Sequence, residues 1–84
     1  MMKFDQHPTQ QAFPLSMADE GKSFKIVLLN GGKNIGKRLS NLGLSINCEL
    51  EIVHRQGAAL VVARDQIRLA LGMGIARKIM VIPV

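Results

Sequence analysis

Apolar and polar residues alternate along much of this chain, and one stretch in the middle departs from that rhythm. In Ser23-Phe24-Lys25-Ile26-Val27-Leu28-Leu29, the residues Phe24, Ile26 and Leu28 fall on one face, with Ser23, Lys25 and Val27 on the other. That is the period of a half-buried β-strand. Cys48-Glu49-Leu50-Glu51-Ile52-Val53-His54-Arg55 repeats it, with Leu50 and Ile52 on one face. Between the two, Ile35, Leu39 and Leu42 stand at i, i+4 and i+7, which is helical spacing. Asn34 is placed to cap the helix, its side-chain oxygen accepting from a free amide of the first turn. Gly43 can take the left-handed conformation that ends it. A helix of about two to three turns is too short to be stable alone in water and must pack against the β elements. Lys37, Arg38 and Asn41 lie on its opposite face.

The rest of the chain reads in the same terms. Residues 1–14 carry Pro8 and Pro14 without periodicity and are expected to form a flexible arm, with the domain spanning 15–84. Leu15 to Lys22 reads as a short turn or helical coil ending at Gly21. Gln56-Gly57 supplies a tight connection with a positive φ at Gly57. Ala58 to Arg64 makes a strand, Asp65-Gln66 a turn, and Ile67 to Leu71 another strand. Gly72 to Ala76 is one helical coil. Lys78 to Val84 closes the chain as a strand whose Pro83 suits an edge or an end. Five short strands with one helix after the first predict a small closed or half-closed β-barrel.

Composition narrows the function. The 84 residues allow one small domain, 48% of them are apolar, and with three Phe and no Tyr or Trp the core must be aliphatic. One cysteine, Cys48, excludes an internal disulfide and fits a reducing compartment. No apolar run reaches the ~20 residues of a membrane span, and no signal peptide is expected, so the reading is a soluble cytoplasmic domain. The net charge of +5 is spread along the chain. With almost no aromatic residues to stack on bases, it fits solubility better than nucleic-acid binding.

Candidate chemistry is sparse. Gly31-Gly32-Lys33-Asn34-Ile35-Gly36-Lys37 matches the phosphate-loop pattern G-x-x-x-x-G-K between a strand and a helix. Arg38 follows it, so the Mg²⁺-ligating hydroxyl is missing, and hairpins rather than βαβ units follow. No nucleotide cofactor is expected. His7, Cys48, His54 and the carboxylates show no metal-ligand spacing. Cys48 and His54 stand six apart, ~20 Å on a straight strand, so no metal site is expected. His54 has no assigned nucleophile, so catalysis is not expected. Apolar residues on both faces of 58–63 and 79–84 point instead to a protein-interaction module.

The layout Leu15-Ser16, Gly21-Lys22, the strand Phe24–Leu29 and then Lys37-Arg38-Leu39-Ser40-Asn41-Leu42-Gly43-Leu44 resembles FeoA-type ferrous-iron transport accessory proteins. The R-L-x-x-L-G-L portion is its most specific part, and the likeness runs through Glu49–Val53, Gly57, Ile67–Leu71 and Ile79–Val84. Ser45-Ile46-Asn47 stands where the family has a proline-glycine turn. The resemblance implies an SH3-like five-stranded barrel, without catalytic residues, that regulates transition-metal uptake. It would act in the cytoplasm against the FeoB membrane transporter, reaching the inner membrane only through that partner. By position it assigns partner contact to Lys37, Arg38, Leu42, Gly43 and Leu44, with Leu39 and Gly57 as structural motif residues. No small-molecule substrate is implied, and weak self-association stays open. The same barrel occurs as the C-terminal domain of DtxR-type metal-dependent regulators, which is the alternative reading. A basic small-barrel nucleic-acid binder is the third.

Overall fold

A computed structural model describes residues 11–84. Its strands are β1 (Phe13–Pro14), β2 (Ser23–Leu29), β3 (Glu49–Gln56), β4 (Ala59–Arg64), β5 (Ile67–Gly72) and β6 (Ile79–Pro83). Helix α1 (Gly32–Asn41) lies between β2 and β3, a short helix α2 (Met73–Ala76) between β5 and β6, and a 3₁₀ turn covers Leu15–Met17. The strands form one antiparallel sheet in the order β1-β6-β2-β3-β4-β5, curled but unclosed. This is the expected mostly-β, SH3-like architecture. Among the described residues it has six strands rather than five. The extra one is Phe13–Pro14, which pairs with Val81 and Met80 and so brings the end of the expected arm into the sheet. A two-residue strand has no periodicity to read. Phe13 is fixed there by an edge-to-face contact with Phe24, ring centroids 5.6 Å apart. The remainder of the expected arm, residues 1–10, lies outside the described residues.

The core is aliphatic, as the composition requires. Ile26, Leu50 and Ile52 enter it from β2 and β3, Leu60 and Val62 from β4, and Ile79 and Val81 from β6. Removing each such side chain from water stabilises the fold by about 1.5–3 kcal/mol before entropy is set against it. The turns are those the sequence marks. Gly57 has φ +60° at the first of two loop residues in the β3–β4 hairpin, where a II′ turn requires glycine. Asp65 has φ +56° in the β4–β5 turn, a conformation its short polar side chain tolerates.

The strict alternation fails at two bulges. In β2 the pairing steps from Ile26↔Val81 to Leu28↔Met80, so Val27 is an extra residue. Beyond it the faces exchange: Leu29 packs on the core, and Leu28, predicted inward, is 51% exposed. In β3 the step from Ile52↔Val62 to His54↔Val61 makes Val53 the extra residue. Cys48 and His54 are therefore no longer related by a simple even spacing along one strand.

The segment before β2 is held by β3. The Arg55 guanidinium donates to the carbonyls of Ser16 (2.9 Å) and Ala18 (2.8 Å), and the Arg55 backbone N–H donates to the Glu20 carboxylate (2.7 Å). Arg55→Ala removes both side-chain bonds. Its expected cost is about 1–2 kcal/mol, read as a lower thermal midpoint with an unchanged far-ultraviolet spectrum. An unshifted midpoint would show that the segment is held without Arg55.

Candidate functional site

The motif Lys37–Leu44 builds about the last turn and a half of α1 and its exit. The helix begins earlier than the Asn34 cap predicts. Gly31, at φ +107°, is the N-cap residue, and Gly32 at φ +82° opens the helix. The reason is steric: the chain turns sharply out of β2, with the Asn30 N–H donating to the Lys78 carbonyl at 2.7 Å. A Cβ on Gly31 would stand 3.0 Å from Lys78 Cδ. The glycines of the phosphate-loop-like pattern therefore turn the chain into a helix that lies between antiparallel strands.

Ile35 and Leu39 form the packing face of α1. At the exit, the Gly43 N–H donates to Ser40 O at 2.9 Å and the Leu44 N–H to Leu39 O at 2.8 Å, with Gly43 at φ +83°. These two bonds are the Schellman closure, which draws the apolar residue after the glycine back against the helix. Leu44 is accordingly fully buried, and Leu42, at the C-cap, is 45% exposed.

The predicted contact residues therefore separate. Lys37, Arg38, Leu42 and Gly43 are each exposed, and Leu39 is core as expected. Leu44, assigned to partner contact by the resemblance, has no exposed surface to offer, because the helix closure buries it beside Leu39. Helical periodicity placed Leu42 on the packing face, but the helix ends at Asn41 and the chain swings Leu42 outward. Gly57 lies in the β3–β4 hairpin turn, a structural position.

Sequence reasoning missed Arg64. From the end of β4 its guanidinium reaches over the helix exit, within 3.4 Å of where a Gly43 Cβ would stand. A cation there complements the carbonyl-bearing end of the helix. It also faces the loop Ser45–Cys48. Asn47 takes φ +76° in this loop, a left-handed conformation that its short polar side chain tolerates. The loop is tied to β2 by Asn47 N–H to Ile26 O (2.7 Å) and Ile26 N–H to Cys48 O (2.9 Å).

Cys48 is half-buried, with its sulfur 3.4 Å from both the Ser45 backbone nitrogen and Ser45 Oγ, and 3.5 Å from the Gly43 carbonyl. The Ser45 hydroxyl, chiefly, holds the thiol below its ordinary pKa, against a smaller opposing effect of burial, and Arg64 adds to the lowering. The thiolate is thus favoured in the fold. The stability linked to it is present above the unfolded thiol's pKa and is lost as pH falls through the lower folded value. Alkylation of Cys48 by iodoacetamide should reach half its maximal rate at a lower pH in the native protein than in urea. Ser45→Ala should move the native midpoint up; an unmoved midpoint would contradict the role given to Ser45.

The site holds little other chemistry. Among the described residues, no polar or charged side chain is buried, and no three His, Cys, Asp or Glu side chains are grouped to hold a metal ion. No helix there is long and apolar enough to cross a membrane. Among the described residues, an open groove of about 580 Å³ between Phe13, Met17, Phe24 and Pro83 has Asp19 and Lys22 as the charged side chains on its walls.

The chain's likenesses agree with this geometry. The model of the FeoA domain family matches residues 13–83. A Methanocaldococcus jannaschii protein with the provisional name Fe(2+) transport protein A is 29% identical over 69 residues, covering 82% of this chain and 84% of that protein. The crystal structure of an iron uptake regulatory protein, FeoA, superposes with a TM-score of 0.80 at 24% identity, over 88% of this chain and 99% of that one. A manganese-dependent transcriptional repressor superposes with a TM-score of 0.82 at 21% identity, over 92% of this chain but 39% of the repressor. At those identities the two structures speak for the fold alone.

Proposed function

The chain belongs to the FeoA family, whose members take part in Fe(2+) transport, and on that premise we propose that it is a non-enzymatic accessory protein of ferrous iron uptake. It works in the cytoplasm by direct contact with the FeoB membrane transporter, a contact that holds it beside the inner membrane. The contact surface is the exit of α1: Lys37 and Arg38 on the helix, with Leu42 and Gly43 beyond it. Leu39 and Leu44 hold this surface in place from beneath. The observation that carries the reading is the coincidence of the family's R-L-x-x-L-G-L stretch with an exposed leucine beside two cations. A leucine left outside a small aliphatic core, next to exposed cations, suits a partner surface.

The non-enzymatic reading rests on the family, whose matched relative is named for transport rather than for a reaction. The repressor likeness favours no separate role, because it is a likeness of fold and the family model is that of FeoA.

The test is capture of the transporter from membranes by the tagged protein, with and without GTP and Fe²⁺. Specific capture supports the accessory role, and dependence on GTP or Fe²⁺ would identify what the complex senses. A folded protein that captures no transporter under any of these conditions would overturn the reading.

A further inference from the structure

The Val27 bulge has an effect on the surface that the family motif does not account for. By exchanging the faces of β2, it turns Leu28 outward opposite Met80, which is only half-buried. A protein with so small a core gains nothing in stability from leaving a leucine 51% exposed. The neighbours of this pair are cations. Lys78 precedes Met80 by two residues, immediately before β6, with Arg77 beside it. The Lys78 side chain lies against Gly31, at the first turn of α1. Lys33 is in that first turn and Lys37 follows one turn later.

Lysines at a helix N-terminus work against the helix, whose free N–H groups already make that end positive. The first turn of α1 has no acidic residue to offset them. Nor is there one nearby in sequence: residues 21–48 contain five Lys and Arg and no Asp or Glu, and residues 66–84 contain three and none. Among the described residues, three carboxylates gather at the far end of the strand. Glu49 and Glu51 pair with Lys25 and Ser23 at the opposite end of β2, and Asp65 lines the same shallow cleft. The seven-residue β2 therefore runs over roughly 20 Å from an acidic end to a basic end that also exposes apolar side chains.

We propose that the basic end, formed by Leu28, Met80, Lys33, Arg77 and Lys78, docks directly on an anionic lipid bilayer. Lys33, Arg77 and Lys78 are each exposed and come from two different elements, the first turn of α1 and the approach to β6, which fits a lattice of headgroup phosphates. The exposed leucine and methionine fit the apolar boundary beneath the headgroups. A nucleic-acid backbone would use the cations but not Leu28 and Met80, and among the described residues no free aromatic ring stands beside them for base stacking: Phe24 is buried and Phe13 is stacked on it. The separation of charge along β2 orients the molecule before contact. The proposal needs no transporter, and its five residues all lie outside the motif Lys37–Leu44.

The test is co-sedimentation of the full chain with vesicles of phosphatidylcholine alone and of phosphatidylcholine with phosphatidylglycerol, at low and high salt, beside a fluorescent DNA duplex. The expected result is partition onto the phosphatidylglycerol vesicles only, weakened by salt. Lys33→Glu and Lys78→Glu should each lower it by roughly tenfold, and Leu28→Ser by several-fold. Lys25→Glu, at the acidic end, should leave it unchanged. Circular dichroism melts of each variant separate loss of folding from loss of docking. Equal partition onto both vesicle types would overturn the proposal, as would unchanged binding in the folded Lys33→Glu and Lys78→Glu variants. Tighter binding to the duplex than to the anionic vesicles would reassign the surface to nucleic acid.

Discussion

Leu44→Ala is expected to lower the stability of the domain by about 3 kcal/mol, whereas Leu42→Ala changes it by less than about 1 kcal/mol. Two leucines two residues apart differ because the Schellman closure sends them in opposite directions. Leu44 is fully buried beside Leu39, at the point where α1 is fastened to the sheet. Truncating it leaves a cavity beneath the helix exit. A helix this short has little stability of its own, so the loss extends to the contacts of Ile35. For a domain of this size the cost corresponds to a fall in thermal midpoint of about 12–24 °C. Leu42 is 45% exposed, and its truncation leaves no cavity. Melting curves of the two variants decide the matter. Equal shifts would mean that Leu42 is core and that the assignment of the surface is wrong.

Arg38→Glu is the second large effect expected, on binding rather than folding. Arg38 is exposed in the last turn of α1, where its charge favours the helix by at most about 1 kcal/mol, so the variant should fold. Reversing a charge at the rim of a charged interface slows encounter and places like charges together. Capture of the transporter should fall about tenfold, with a reduced dependence on salt. Arg38→Gln should lie between, having lost the attraction without gaining the repulsion. Leu42→Ala should weaken capture to a similar extent with little dependence on salt, because it removes apolar contact.

Much of this was legible in the chain, and the misses have physical causes. Period-two alternation locates β2 and β3, and the glycine after Gln56 marks their following hairpin, because those signals are local. Bulges are not: nothing in Phe24-Lys25-Ile26-Val27-Leu28 shows that Val27 adds a residue, since the step exists only against β6. Leu28 was therefore expected to be inside. The start of α1 was misplaced because a good capping residue, Asn34, outweighed two glycines whose positive φ angles do the turning. The exchange of Leu42 and Leu44 did have a signal. An apolar residue directly after a helix-ending glycine commonly folds back onto the helix, and Gly43-Leu44 fits that pattern. Arg64 and Lys78 had none, being brought to the two ends of α1 by pairing across the sheet.

The most direct measurement is a binding titration of FeoB, purified in detergent, against the immobilised wild-type, Arg38→Glu and Leu42→Ala proteins, each first shown to melt cooperatively. The account predicts saturable binding by the wild type and an affinity lowered about tenfold in each variant. Wild-type binding that neither substitution changes would place the contact elsewhere on the barrel, and no wild-type binding would contradict the accessory role itself.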